Sequence, residues 1–341
     1  MTKTNKHTNK SSILKIAVVI LNWNGKALLE QFLPSVIDYS KDATIYVADN
    51  ASTDDSVDFV KTQFPEVKII ENKSNGGYAK GYNDALQFVD EDIFCLLNSD
   101  IEVAPNWLKP ILDTFKTEPE TAIIQPKILD YKDKTKFEYA GAAGGFIDKY
   151  GYPFCRGRIF NTIETDTNQY QNTKIFWASG ACFFIRKNVF NQLNGFDDTY
   201  FAHQEEIDLC WRAFNLNHIT KYISESTVYH VGGATLNTAN PKKTYLNFRN
   251  SLFSITKNAS GNLFGLIFTR LILDGIAGLQ FLFQLKFKHF VAILKAHFSF
   301  YFNLKRLLKQ RKNLPQQKVY YSVKSIVYSY FIKKKTIFSK L

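Results

Sequence analysis

Four hydrophobic, strand-like runs, each closed by a short polar station, constrain this chain more than any other feature. Ile16–Leu21 leads into Asn22-Trp23-Asn24-Gly25, and Ala43–Ala48 into Asp49-Asn50-Ala51-Ser52-Thr53-Asp54. Val67–Ile70 precedes Asn75-Gly76-Gly77, and Ile93–Leu97 precedes Asn98-Ser99-Asp100. The intervening spacing predicts helices over Lys26–Asp38, Asp54–Phe64, Tyr78–Val89 and Asn106–Lys116, with Asp54 capping the second and Pro105 in the first turn of the fourth. Strands alternating with helices imply an α/β fold, a largely parallel sheet covered by helices. Ligands of such sheets sit outside the carboxyl ends of the strands. Here those ends carry Asp, Asn and Gly, which offer acceptors, amide donors and close backbone approach. That set suits a nucleotide and a metal-bound diphosphate.

A chain of 341 residues, 45% apolar with 30 Phe and 18 Tyr, can bury one large core or two ordinary ones. Cys95, Cys155, Cys182 and Cys210 lie far apart, with neither metal-ligand nor CxxC spacing, and read as free thiols of a reducing compartment. Residues 1–12 are polar and basic without an apolar stretch, so they read as a disordered N-terminus rather than a signal peptide. From Lys127 to Lys174 the pattern is irregular and polar, and predicts a loop-rich insertion over the cleft. Order returns with strands over Lys174–Trp177 and Cys182–Ile185, a helix over Glu205–Phe214, and strands over Ile219–Ile223 and Thr227–Tyr229.

The net charge of +12 is unevenly spread. From Lys242 onward there are 19 Lys and Arg against one acid, Asp274, a net charge of +18; the first 241 residues, with 24 bases and 30 acids, carry −6. Asn262–Leu285 is apolar but contains Arg270 and Asp274, and its longest charge-free run, Gly275–Leu285, is short of the ~20 apolar residues a spanning helix needs. His289–Lys312 interleaves Phe, Ile and Leu with Lys and Arg, the pattern of an interfacial helix with a basic face. Three regions follow: the 1–12 segment, a catalytic domain over 13–260, and a basic amphipathic helical region over 261–341. The last is expected at an anionic membrane surface; a second helical domain packed on the first is the other reading.

Each station has a bland reading beside the chemical one. Asp49 can accept from a base imide or ribose hydroxyl, or close a helix-capping turn. The Asn75–Asn83 segment opens a helix whose N-terminus favours phosphate, but it is not a dinucleotide fingerprint and is equally a tight turn. Asp100 at a strand end can hold Mg²⁺ or Mn²⁺ against a diphosphate, and turns favour Asp anyway. Glu205, Glu206 and Asp208 begin a helix, where acids complement the dipole; three carboxylates so close also raise one another's proton affinity, which suits a general base. His230 ends a strand and is either a metal ligand or a buried, satisfied histidine.

Taken in order, the stations resemble a known family. Asn-Trp-Asn-Gly after a strand, Asp-Asn-x-Ser-x-Asp, Asn-x-Gly-Tyr-Ala-x-Gly-x-Asn, Leu-Leu-Asn-Ser-Asp, Trp177–Ala181, Gly195–Asp197, Glu205–Arg212 and His230 are similar to the inverting family 2 glycosyltransferases of GT-A fold, close to the bacterial rhamnosyltransferase-like branch, over Ile16–Asn250. The resemblance implies that Asp49 contacts the nucleotide base with Asn22 beside it. It implies that Asn75, Gly77, Asn83, Asn98 and Ser99 shape the nucleotide and diphosphate wall, that Asp100 and His230 serve the metal, and that Trp177, Gly180 and Asp208 border the acceptor. Glu206, with Glu205 as understudy, is implied as catalytic base. Two departures stand out: the first acid of the metal-binding Asp-x-Asp is Asn98, and the usual Glu-Asp pair is Glu205-Glu206.

The implied reaction moves a sugar from a UDP- or dTDP-linked donor, rhamnose among the options, to a lipid-linked or growing surface glycan, with Mg²⁺ or Mn²⁺. The enzyme would be peripheral, on the cytoplasmic face of the inner membrane, with no nucleic-acid partner. A nucleotidyltransferase making an activated sugar would carry a Gly- and Lys-rich loop where Asn22–Gly25 stands. An inactive membrane-bound scaffold of the same fold would tolerate Asn98 but has no need of Asp100, Glu206 and His230.

Overall fold

The computed structural model describes residues 14–232 and 240–341. The disorder expected of residues 1–12, and Gly233 of the Gly232-Gly233 pair, lie outside the described residues. The first half follows the alternation: β1 (Ile16–Asn22), α1 (Lys26–Tyr39), β2 (Ala43–Asp49), α2 (Ser56–Gln63), β3 (Lys68–Glu71), α3 (Gly77–Ala85) and β4 (Ile93–Asn98). β1 pairs in parallel with β2 on one side and β4 on the other. A strand so placed is covered on both faces, so Ile16–Ile20 is continuously apolar and buried rather than alternating.

Beyond β4 come β5 (Ile101–Val103), α4 (Leu108–Thr117) and β6 (Thr121–Asp130), then β7 (Gly145–Ile147), β8 (Pro153–Cys155), β9 (Arg158–Ile159) and β10 (Thr162–Ile163). They are followed by β11 (Thr173–Ile175), β12 (Cys182–Arg186), α5 (Lys187–Gln192), α6 (Glu205–Asn215) and β13 (Ile219–His230). Among the described residues the strands form a nine-stranded mixed sheet, ordered β11-β13-β6-β12-β4-β1-β2-β3 with β5 beside β13, and a four-stranded sheet of β7–β10. β12 runs antiparallel to β4 and β6. The carboxyl ends of β1, β2, β4 and β13 therefore open on the edge where β12 begins. The chain winds outward through β2 and β3, then crosses back to place β4 on the far side of β1. That reversal leaves a crevice between the Asn22 and Asn98 turns.

Several expectations change. Only the start of the loop-rich Lys127–Lys174 segment differs: Lys127–Asp130 continues the buried strand β6, and the rest is turns around the short strands β7–β10. Lys127 reads as polar surface, yet its ammonium is buried against Asp166 at 2.7 Å. Ile219–Ile223 and Thr227–Tyr229 are one strand, broken in register between Ile223 and Thr227. Asp54 does not precede α2 directly; it accepts from the Lys26 and Ser56 N–H groups and so ties α1 to α2. Pro105 falls before α4, not within its first turn.

The basic region forms α7 (Pro241–Asn258), α8 (Leu263–Phe283) and α9 (Phe287–Lys312), with α9 packed on α7 and α8. α8 is long and apolar enough to cross a membrane by length and composition alone. Its two charges face the protein, however. Arg270 binds Asp274 at 2.7 Å and also donates to the Tyr150 carbonyl and Ser251 Oγ, while Asp274 accepts from Tyr152 Oη. The opposite face exposes Phe264, Phe268, Ile272, Ile276, Leu279 and Phe283 at steps of three and four. α9 continues it with exposed Phe287, Val291, Leu294, Phe298 and Phe302.

The last thirty residues fold back. Tyr320 is buried and stacks 4.8 Å from Trp211, Ile326 is buried with its N–H on Asp148 Oδ2, and Phe338 packs on Phe146. Ending the chain at Ser260, which the charge asymmetry alone makes attractive, would uncover these contacts. Each buried Tyr or Ile lost contributes about 1.5–3 kcal/mol. The shortened chain is thus expected to melt well below the full chain, measured by calorimetry; equal melting temperatures would show that 261–341 adds nothing to the core.

Candidate active site

Register places Asn22 opposite Asp49 at one level of the sheet. Asn22 Nδ2 donates to Asp49 Oδ1 at 3.0 Å and to Ser52 Oγ at 3.2 Å. Ser52 donates its N–H to Asp49 Oδ2 at 2.9 Å and its hydroxyl to Oδ1 at 2.6 Å. The buried Asp49 carboxylate therefore builds its own turn, and Oδ2 keeps one lone pair for a ligand. Asn24 Oδ1 accepts from the Thr53 N–H at 2.7 Å. Trp23, between these two pinned asparagines, is half-exposed at the rim; the sequence reading left it unassigned.

The wall residues support the site more than they line it. Asn75 Oδ1 accepts from the Gly77 N–H and from Asn50 Nδ2. Gly77 has φ 76°, and a Cβ there would lie 2.4 Å from the Phe201 carbonyl oxygen. That carbonyl accepts from Tyr78 N–H at 2.7 Å and Ala79 N–H at 3.3 Å. The N-terminus of α3, expected to face phosphate, is thus already capped by the loop before α6. Asn83 turns to that loop too, with Nδ2 donating to the Phe196 carbonyl and Asp198 Oδ1 and Oδ1 accepting from Phe196 N–H. Asn83 and the start of α3 thus anchor the loop that precedes α6.

The β4 turn brings in the second cluster. Asn98 donates its N–H to the Ala181 carbonyl at 2.9 Å, and Ser99 Oγ lies beside the Asn22–Gly25 turn. β5 pairs with β13 so that Ile101 faces His230, which sets the preceding Asp100 against the imidazole. His230 Nε2 lies 3.2 Å from Asp100 Oδ1, and Nδ1 lies 3.3 Å from Glu138 Oε1, an ion-pair distance without hydrogen-bond alignment. Burial alone would lower the imidazole pKa, but the Glu138 and Asp100 carboxylates outweigh it and push it up to about 10. Glu138 was not foreseen: it sits between Phe137 and Tyr139, and no local pattern distinguishes it.

The donor set fits a divalent cation. Atoms 3.2 Å apart match adjacent ligands on one ion with bonds of about 2.1 Å, and imidazole with carboxylate suits Mn²⁺. Glu138 lies on the other ring nitrogen, the position of an outer carboxylate that orients a ligating histidine. Among the described residues no group of three or more His, Cys, Asp and Glu encloses a metal. Asp100 and His230 would hold one side of the ion and a diphosphate the other.

The third cluster opens α6. Phe201, His203 and Gln204 all have φ between 66° and 68°, a left-handed run that non-glycine residues adopt only under constraint. It delivers Glu205 and Glu206 to the edge where β12 begins. Tyr78 Oη donates to the Gly180 carbonyl at 2.7 Å, and a Cβ on Gly180 would lie 3.7 Å from the Glu206 carboxyl carbon. Gly180 therefore lies beside Glu206. One carboxylate oxygen of each glutamate is buried with no partner. Burial raises both pKa values: Glu206 to about 7, and Glu205 further because Glu206 adds its charge. Glu206, with its pKa near neutrality, is the one poised to take up a proton there, which favours Glu206 as base. A base works ionised, so kcat/KM should fall as pH drops through about 7 and level off above it; a profile flat down to pH ~5.5 would remove this assignment.

Asp208 and Trp177 do not reach the acceptor side. Asp208 is fully buried, accepting from Arg212 at 2.9 Å, Lys257 at 3.0 Å and Asn258 at 2.8 Å, and it ties α6 to α7. Burial would raise its pKa, but Lys257 and Arg212 hold the carboxyl below the usual range. Trp177 is buried beneath Gly145, its indole N–H donating to the Phe146 carbonyl.

Residues 17–193 match Glycosyl transferase family 2. The N-acetylglucosaminyl-diphospho-decaprenol L-rhamnosyltransferase of Mycobacterium tuberculosis is 24% identical over 232 residues, covering 63% of this chain and 75% of the relative. The mannosyltransferase PcManGT of Pyrobaculum calidifontis, solved with GDP-Man and Mn²⁺, superposes with a TM-score of 0.53 at 9% identity, covering 86% of this chain and 88% of that one. GalNAc-T7, solved with UDP, GalNAc and Mn²⁺, gives 0.56 at 16% identity over 72% of this chain and 48% of that one. With the mixed sheet flanked by helices and the polar strand ends in one crevice, the chain belongs to glycosyl transferase family 2, in its GT-A-fold, rhamnosyltransferase-like branch, and is a glycosyltransferase.

Proposed function

We propose that this enzyme transfers a sugar, with rhamnose the first choice, from a UDP- or dTDP-linked donor to a hydroxyl of a lipid-linked or growing surface glycan, with inversion. The observation that carries the reading is Glu206: a half-buried carboxylate beside Gly180 with an unpartnered oxygen and a pKa near 7. Glu206 takes the acceptor hydroxyl proton as that oxygen bonds to the anomeric carbon. The bond from that carbon to the diphosphate oxygen breaks, and the nucleoside diphosphate leaves. One displacement inverts the configuration. A divalent cation at Asp100 and His230 would neutralise charge on the departing diphosphate, as the Mn²⁺ of the two solved neighbours suggests. Asp49 and Asn22 bound the nucleoside end. The M. tuberculosis relative acts on a diphosphate-linked lipid, which supports a lipid-linked acceptor here.

The exposed ridge of α8 and α9, within the +18 region, supports peripheral attachment to the cytoplasmic face of an anionic membrane. The decisive experiment is a screen of nucleotide sugars with Mn²⁺ for thermal protection, followed by NMR of the product's anomeric centre. Retained configuration would overturn the single displacement.

A further inference from the structure

We propose that the groove between α7 and α9 is the binding site for the prenyl diphosphate of the acceptor. The proposal rests on the lipid-linked acceptor named above and gives it a seat. The groove, about 490 Å³, is bounded by the start of α7 and the first two turns of α9. Its floor and walls are apolar, with Tyr245, Phe287 and Val291 among them, and it shares Tyr245 and Lys295 with a second recess of about 430 Å³ that runs on past Phe298. Lys242, Lys288 and Lys295 stand along it, all exposed. Among the described residues none of the three forms an ion pair. An elongated apolar channel with unpaired ammonium groups at its lip matches a molecule that is hydrocarbon at one end and dianionic or more at the other. A sugar or nucleotide would leave the apolar walls unmatched, and a plain alkyl chain would leave the lysines unmatched.

The groove also stands in the right place. Thr244 Oγ1 is 2.7 Å from His289 Nδ1, which pins the start of α9 to the start of α7. Asn250 of α7 donates to the Tyr200, Ala202 and His203 carbonyls, and Lys242 Nζ sits 4.6 Å over the Phe201 ring. The wall that carries Lys242 and Tyr245 is therefore stapled to the left-handed loop that delivers Glu206. A diphosphate at the lysines would present its attached sugar toward that loop, while the prenyl chain followed α9 to the exposed ridge where a leaflet would lie.

The test uses the full chain and two variants, the double charge reversal Lys288→Glu with Lys295→Glu, and Val291→Asp. All three positions are solvent-exposed, and melting temperatures would verify folding. Binding of a prenyl diphosphate in neutral detergent micelles is measured beside binding of Mn²⁺ with UDP or dTDP and of phosphatidylglycerol vesicles. The expected result is a loss of prenyl diphosphate affinity of about tenfold or more in each folded variant, with nucleotide affinity unchanged. Wild-type indifference to prenyl diphosphate, or equal affinity in the folded variants, would overturn the site. So would an equal loss for phosphatidylglycerol, since the groove would then be a general lipid contact. Failure of the enzymatic reading looks different: no transfer from any nucleotide sugar even though prenyl diphosphate binds.

Discussion

Glu206→Gln is expected to lower turnover by roughly 10²–10⁴ while donor affinity survives. The amide keeps the size and the place of the carboxylate beside Gly180 but cannot take a proton. The turns at Asn22, Asp49 and Asp100, proposed to bind the donor, are built from other elements and do not depend on it. The neighbouring acid provides the control. Glu205 is almost wholly buried, its pKa raised first by burial and then by the charge of Glu206, so Glu205→Gln removes a carboxyl that resists ionisation. Its effect on turnover should be mild. Single-turnover rates with donor saturating measure both. A crippled Glu205→Gln beside a mild Glu206→Gln would move the base by one residue.

Asp100→Ala is expected to abolish metal-dependent donor binding and to lower activity by more than about 100-fold. Changes to outer residues around a metal already cost roughly 10–100-fold, and Asp100 would be a direct ligand. The substitution leaves His230 facing Glu138 alone and gives the ion a single protein donor. Since Asn98 supplies no charge in this turn, nothing local substitutes. Glu138→Gln is expected to weaken metal affinity by roughly 10–100-fold through the imidazole it orients. Titration of Mn²⁺ with nucleoside diphosphate reads both effects apart from turnover. Full activity in excess EDTA would remove the metal role of Asp100 and His230 together.

What the sequence determined on its own is local and repetitive. Strand ends, the order of the polar stations and the apolar character of β1 and β4 follow from periodicity, because a strand covered on both faces must be apolar throughout and its turn must be polar. That sufficed for the crevice and for the glycosyltransferase family, and it marked Asp100, His230 and Glu206 as candidates. What only the tertiary structure decided concerns partners distant in the chain. Asp208 shares its local pattern with Glu206, but the side of the helix it occupies meets Lys257 of α7, so it became a buried tie rather than an acceptor contact. Asn83 and Gly77 match a phosphate-binding pattern, yet the loop at Phe196–Phe201 arrives first and takes the hydrogen bonds of Asn83 and of the Tyr78 and Ala79 N–H groups after Gly77. Glu138 lies in an unpatterned stretch and acquires meaning only where it meets His230, ninety-two positions on. The basic region looked separable by charge, while Tyr320 and Ile326 return to the core. Periodicity reports the environment of each element. It carries no information on which distant group completes a buried charge, because that choice is made by packing between elements the sequence lists far apart.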